Sequence, residues 1–174
     1  GITVSGGEPT RQLRFVSALF AAIKADEALR GLDCFIDSNG HLGASGWALL
    51  LPVTDGVMLD IKSFDNALHR ELTGKDNVKS LQSARLLHEA GKLYELRFLL
   101  MPGKTDGDAE LDGLIGFVRA LGGEVRVRLN AFQHHGVRPK AREWEPMSKA
   151  GVGRAAARLR EAGICNVVEP AVYV

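Results

Sequence analysis

The sequence predicts an α/β fold built on a parallel sheet, and three observations predict it. Short β-rich runs alternate with amphipathic helical stretches from one end of the chain to the other. No repeat, linker or low-complexity tract interrupts them. Polar residues gather at the C-terminal ends of the strands, Glu8, Asp37, Asp60, Lys62 and Arg97 among them. That edge binds ligands both in doubly wound sheets and in barrels, so the pattern alone leaves both architectures open.

The elements follow in order. Ile2 to Ser5 reads as a strand that runs into Gly6-Gly7-Glu8-Pro9. Val16, Leu19, Phe20 and Ile23 recur at helical spacing between Arg11 and Ala25, with Thr10 as the expected N-cap. Leu32 to Asp37 is a second strand, closed by Ser38-Asn39-Gly40, and a short helix over Ala44 to Leu51 stops before Pro52. Gly56 to Lys62 is the third strand. Val78, Leu81, Ala84 and Leu87 mark a helix that ends near Gly91. Tyr94 to Met101 is a fourth strand, broken by Pro102-Gly103. Leu111, Leu114, Ile115 and Val118 give the next helix, and Glu124 to Phe132 a fifth strand. Met147 to Ala162 is the last helix, followed by an extended segment from Asn166 to Val174. The expectation is five parallel strands in sequence order, covered outside by helices.

The 174 residues fit one domain with a sizeable core. Lys plus Arg (22) nearly balances Asp plus Glu (21), which gives no reason to expect nucleic acid or an anionic membrane as a partner. No apolar run approaches the roughly 20 residues that span a bilayer. No basic segment precedes an apolar one as in a secretory leader, so a cytoplasmic location is expected. Cys34 and Cys165 both sit among apolar neighbours and read as buried reduced thiols.

Several side chains could carry chemistry. Gly6 and Gly7 let a backbone approach a ligand closely. Glu8 offers a carboxylate suited to an ammonium group, or simply an acid at a helix N-terminus. Asp37-Ser38-Asn39-Gly40 reads either as an Asx-type turn or as part of a site. Asp60 and Lys62 flank Ile61 and so share a face, as an ion pair or as ligand contacts. His134 and His135 are adjacent and point apart, which disfavours one shared metal. His69 and His88 fall in helical stretches and read as solvated, while Arg97 and Arg128 lie in strands and need partners. Carboxylates, a lysine and open amides at successive strand ends together suit a zwitterionic ligand.

The ordered set SGGEP, DSNG, MLDIK, HRELTG and RFLLMPG resembles the radical S-adenosylmethionine (SAM) activating enzymes of glycyl radical enzymes, of which pyruvate formate-lyase activating enzyme is the best-known member. The resemblance covers nearly the whole chain and implies a partial parallel (β/α) barrel. It implies that SAM is the ligand. Ser5, Gly6, Gly7 and Glu8 answer to the segment that holds the methionyl amino group. Asp37, Ser38 and Asn39 answer to the second motif, with serine replacing threonine, and Asp60 and Lys62 to the third. Arg97 lies in the fourth-strand motif. His134 falls at a tyrosine–histidine pair, with Gln133 standing at the histidine's place. Asp37 and Asp60 also match a monovalent cation site, helped by backbone oxygens near Ser38 and Met58. No catalytic residue is assigned.

The resemblance further implies a four-iron, four-sulfur (4Fe-4S) cluster whose electron cleaves SAM to a 5′-deoxyadenosyl radical. That radical takes a hydrogen from a glycine of a partner glycyl radical enzyme, with flavodoxin or ferredoxin as the electron donor. The cluster-binding C-x-x-x-C-x-x-C is absent from this sequence, which begins where the family's second strand begins. The expectation is therefore a single core domain over 1–174, truncated at its N-terminus, missing its first β/α unit and inactive alone. Two other readings stay open, a radical SAM enzyme acting on a small substrate and a cluster-less module that binds SAM or protein.

Overall fold

The computed structural model describes residues 1–137 and 139–171, with Lys140 described in its backbone only. Six strands form an all-parallel sheet in sequence order: β1 (Ile2–Val4), β2 (Cys34–Ser38), β3 (Gly56–Ile61), β4 (Leu93–Leu100), β5 (Val127–Ala131) and β6 (Val167–Val168). Between them lie α1 (Leu13–Ala25), α2 (Ala44–Leu50), α3 (Asn66–Thr73), α4 (Val78–Glu89), α5 (Asp108–Ala120) and α6 (Lys149–Glu161). The sixth strand was expected only as an extended segment. It forms because Val167 and Val168 pair in parallel with Val127 and Arg128; residues 172–174 of that segment lie outside the described residues. No helix among the described residues is long and apolar enough to cross a membrane.

The chain divides into two compact units, residues 1–60 with 78–96, and residues 61–77 with 97 onward. In the first unit β1 pairs with β2 in parallel, Ile2 opposite Cys34, and β2 with β3, Asp37 opposite Met58 and Ser38 opposite Leu59. Burial alternates along β2 and β3. Cys34, Ile36, Val57 and Leu59 are fully buried, while Phe35, Asp37, Met58 and Asp60 are half-buried on the other face. The buried face carries Val16, Phe20 and Ile23 of α1, Trp47 and Leu50 of α2, and Ala84 and Leu87 of α4 into one core. Burying Phe20 or Leu87 completely contributes about 2 kcal/mol each.

The entry to α1 differs from the sequence expectation. Thr10 is not the cap. A 3-10 turn over Pro9–Gln12 precedes the α-helix, and Glu8 caps it by accepting from the Thr10 amide, with Pro9 in the first turn where its missing N–H costs nothing. Two burial expectations also change. Cys165 is exposed, because its neighbour Ile164 takes the buried position after α6. His69 is buried rather than solvated. Its Nδ1–H donates to the Lys75 carbonyl at 2.8 Å, closing the end of α3 where Gly74 turns left-handed.

Asp55 aligns β2 with β3. Its Oδ2 lies 2.6 Å from Lys24 Nζ and accepts from the Cys34 amide at 2.7 Å, while its own amide donates to the Cys34 carbonyl. Burial pushes the Asp55 carboxyl up, but the Lys24 ammonium and the Cys34 amide outweigh that and hold it below the usual range. A carboxyl depressed on folding stabilises the fold fully above its unfolded pKa, about 4, and that stabilisation is lost as pH falls through the lower folded value. Asp55→Asn is therefore expected to lower the urea midpoint at pH 7, with the gap to the native protein closing as pH drops below about 4. A gap that stayed constant down to pH 2 would contradict the assignment.

In the second unit the core is Phe98 and Leu100 of β4, Leu114 and Val118 of α5, Val127 and Leu129 of β5, and Val152, Ala156 and Leu159 of α6. Phe64 packs against Phe98 and Phe117 with ring centroids 5.8 and 5.6 Å apart. Ser148 caps α6 through the Gly151 amide. Arg158 of α6 pairs with Asp112 at 2.7 Å and with Asp108, both on α5.

Candidate functional site

The first unit brings most of the expected residues together at the C-terminal ends of β1 and β2. The chain leaves β1 through Ser5 and two glycines with φ of 90° and 40°, a path that L side chains rarely follow. No atom lies within 4 Å of where a Cβ would stand on either glycine, so the turn requires their conformational freedom and leaves their backbone open. Ser5 Oγ donates to Asp37 Oδ2 at 3.2 Å.

Glu8 is the hub. Its Oε1 accepts from the Thr10 amide, the Thr10 hydroxyl and the Ser38 hydroxyl, at 3.1, 2.7 and 2.9 Å. Its Oε2 accepts from the Asn39 amide at 2.8 Å. A carboxylate offers about four lone-pair positions. Oε1 is saturated, and Oε2 keeps room for one more donor. An ammonium N–H is the donor that suits it. Glu8 thus both ties the β1 end to the β2 end and leaves an acceptor for a ligand.

The loop after β2 is held from below. Gly40 donates its amide to Ser38 Oγ, and its φ is 71°. A Cβ there would stand 2.8 Å from Leu59 Cδ1 and 3.1 Å from the Ser80 Cα. Ser80 donates to the Asn39 carbonyl and Ser83 to the Gly40 carbonyl, both at 2.7 Å. The buried Trp47 indole N–H donates to Ser83 Oγ at 2.8 Å. Trp47, Ser80 and Ser83 were not singled out from the sequence, and Thr10 only as a helix cap. A signal existed: Ser80 and Ser83 fall one turn apart on the apolar stripe that carries Ala84 and Leu87, where hydroxyls need buried partners.

Asp60 lies in the same unit at the end of β3. It is two residues past Met58, the register partner of Asp37, so the two aspartates are diagonal neighbours on one face. Among the described residues no three His, Cys, Asp or Glu side chains cluster as a metal site.

Lys62, Arg97 and His134 belong to the second unit. Lys62 lines a cavity of about 370 Å³ with Glu71 and Thr73 of α3, Leu99 of β4, Phe132 and Trp144. Arg97 is half-buried and precedes Leu99 by two, on the same strand face. His134 is exposed. Its Nε2–H donates to the Trp144 carbonyl at 2.7 Å and its ring meets Phe132 edge-on at 6.0 Å. Gln133 Nε2 donates to the Met147 carbonyl instead. Lys104 Nζ sits 4.6 Å from the centre of the Trp144 ring and 3.0 Å from Glu71 Oε1, a charged rim that the sequence did not announce.

The chain is similar to known proteins in sequence and in fold. The chain is 38% identical over 127 residues to a pyruvate formate-lyase-activating enzyme of Streptococcus mutans, covering 70% of this chain and 47% of that one. It is 32% identical over 138 residues to pyruvate formate-lyase 1-activating enzyme of Escherichia coli, covering 78% and 54%. The chain thus spans about half the length of these curated relatives. Its fold is similar to a crystal structure of a domain of pyruvate-formate lyase-activating enzyme from Bacteroides vulgatus, with a TM-score of 0.81, 17% identity and 98% of each chain covered. Residues 1–115, which hold the glycine turn, the Glu8 hub, the serine-braced loop and Lys62, match the Radical SAM superfamily, and to that superfamily this chain belongs.

Proposed function

We propose that this chain is the SAM-holding part of a radical SAM activase that installs a radical on a glycine of a partner glycyl radical enzyme. The observation that carries the proposal is the Glu8 hub. It ties Glu8, beyond the glycine turn, to Ser38 and Asn39 and leaves one acceptor position on Oε2, and the backbone of Gly6 and Gly7 is exposed. The similar pyruvate formate-lyase-activating enzymes supply the reaction class.

The residues fit SAM. Glu8 Oε2 receives the methionyl ammonium, and the open backbone of Gly6 and Gly7 lets that group approach. Ser5, Ser38 and Asn39 keep the hub in place, and Asp37 and Asp60, on one strand face, hold a monovalent cation with help from backbone oxygens. The motifs to which Lys62, Arg97 and His134 belong are what make them candidate contacts for SAM. When bound and reductively cleaved, SAM would supply a carbon radical for hydrogen abstraction.

The residues do not fit the cluster. Three thiolates are required and the chain has two cysteines. Cys34 is buried in β2, where burial pushes its thiol up and keeps it protonated, and the metal ligand is the thiolate. Cys165 is exposed beyond α6. No step through the cluster is assigned to these residues. The natural setting is the cytoplasm, with a flavodoxin or ferredoxin as reductant.

The test is anaerobic turnover of the whole protein that contains this chain, reduced and supplied with SAM and its partner. The expected result is 5′-deoxyadenosine together with a glycyl radical signal on the partner by electron paramagnetic resonance. Lys62→Ala should cut SAM cleavage while leaving cluster content unchanged. The present 174 residues, treated with iron and sulfide, should show no charge-transfer absorbance. Deoxyadenosine without a radical on any partner would replace the proposal with another radical SAM chemistry, and no SAM binding at all would replace it with a binding module.

A further inference from the structure

Glu110 lies outside every motif, yet it is a nearly buried carboxylate, 5% exposed, with three short hydrogen bonds. It accepts from the Ser63 hydroxyl at 2.6 Å, the Phe64 amide at 2.8 Å and the Asp65 amide at 2.8 Å. Glu110 is the third residue of α5, where a glutamate ordinarily folds back toward its own helix start. Here the N-cap is Gly107, whose missing side chain offers nothing to reciprocate, and the carboxylate reaches across to another segment.

That segment begins one residue after Lys62. A second contact fixes it to the same helix. Phe64 seats on Gly113, one turn beyond Glu110, where a Cβ would stand 2.8 Å from the Phe64 Cβ. The opposite edge of the segment is also held, since Asn77 Nδ2 donates to the Ser63 and Phe64 carbonyls. Asp65 then caps α3 through the Leu68 amide at 2.6 Å. Lys62, before the segment, lines the cavity, and so do Glu71 and Thr73 on α3, after it.

We infer that Glu110 is a positioning residue for the SAM-binding reaction: its carboxylate fixes the turn that sets Lys62 on one side and α3 on the other. The inference rests on the reading of Lys62 as a SAM contact. The acceptor-only character of a carboxylate is what the turn requires. A glutamine has the same shape, but either orientation of its amide points an N–H at the Phe64 or the Asp65 amide. Aspartate keeps the acceptors and shortens the reach by one methylene.

The test is a double-mutant cycle in the whole holoprotein, following KM for SAM and the rate of 5′-deoxyadenosine formation, with cluster content and thermal midpoint as controls. Glu110→Gln should raise KM for SAM by about tenfold, as a displaced positioning group does, and Glu110→Asp should recover part of that loss. In a Lys62→Ala background Glu110→Gln should add almost nothing, because the two act through one contact. Should Glu110→Gln fail to fold, Ser63→Ala removes one donor without touching charge, and its smaller rise in KM should likewise vanish in the Lys62→Ala background. Additive effects, or an unchanged KM beside a lowered thermal midpoint, would reduce Glu110 to a structural residue. If Lys62→Ala itself leaves KM for SAM unchanged, the SAM reading of Lys62 fails first and the role of Glu110 falls with it.

Discussion

Gly40→Ala is expected to destabilise the protein by about 3 kcal/mol, from roughly 1–2 kcal/mol of left-handed backbone strain and a similar cost of overpacking. Both terms are visible at the position. The φ of 71° is one that alanine adopts only under strain, and the added methyl would meet Leu59 and the Ser80 backbone of α4. The side chain of Leu59 can rotate away, whereas the Ser80 Cα can retreat only by moving the helix that holds the loop. Gly74 supplies the control. Its φ is 78° with no atom near the added carbon, so Gly74→Ala should show the strain alone, about 1 kcal/mol. Urea denaturation of both variants decides the matter. Equal losses at the two positions would mean that the contact beneath Gly40 relaxes freely.

Glu8→Ala should strike both stability and ligand binding. Removing the carboxylate deletes the cap of the 3-10 turn and leaves the buried Ser38 hydroxyl without its acceptor, together about 2 kcal/mol. The Asn39 amide is exposed and finds water. Affinity for SAM should fall about thirtyfold, the size of one charge-assisted hydrogen bond. Glu8→Gln separates the two effects. Its carbonyl oxygen can still serve Thr10 and Ser38, but its amide N–H₂ would face the Asn39 amide and the incoming ammonium. Most of the stability should return and little of the affinity. Isothermal titration with SAM alongside thermal melts measures this, and a Glu8→Gln protein that bound SAM normally would remove Glu8 from the ligand's contacts.

The strands and long helices were legible in the sequence because their apolar periodicity is strong. Val16, Phe20 and Ile23 of α1 and the alternation through Val57, Leu59 and Ile61 of β3 required no further information. The parallel order followed from the alternation of strand and helix. The sixth strand was less legible, since two residues carry no periodicity and its existence depends on the Val127 edge being there to pair with. Glu8, Asp37 and Ser38 stood out as candidates because they lie at, or shortly past, the ends of strands. What their side chains do was not legible. Whether Glu8 meets a ligand or caps a turn depends on where Thr10, Ser38 and Asn39 stand, and the structure shows the second while leaving room for the first. The braces were hidden for the same reason. Ser83 lies 43 residues from Gly40 and Glu110 lies 47 from Ser63, and no local pattern connects them.

The backbone amides of Cys34, Asn39, Phe64 and Asp65 donate to side-chain carboxylates distant in sequence instead of strand carbonyls. Near neutral pH a backbone proton leaves for deuterated solvent when hydroxide removes it, and the amide anion so formed would face a carboxylate. The adjacent negative charge opposes that step, so each of these four protons leaves when its turn opens rather than by direct attack in the closed state. Their isotope lifetimes therefore time the local openings of the Asp55, Glu8 and Glu110 clamps individually, beneath the slower clock of global unfolding.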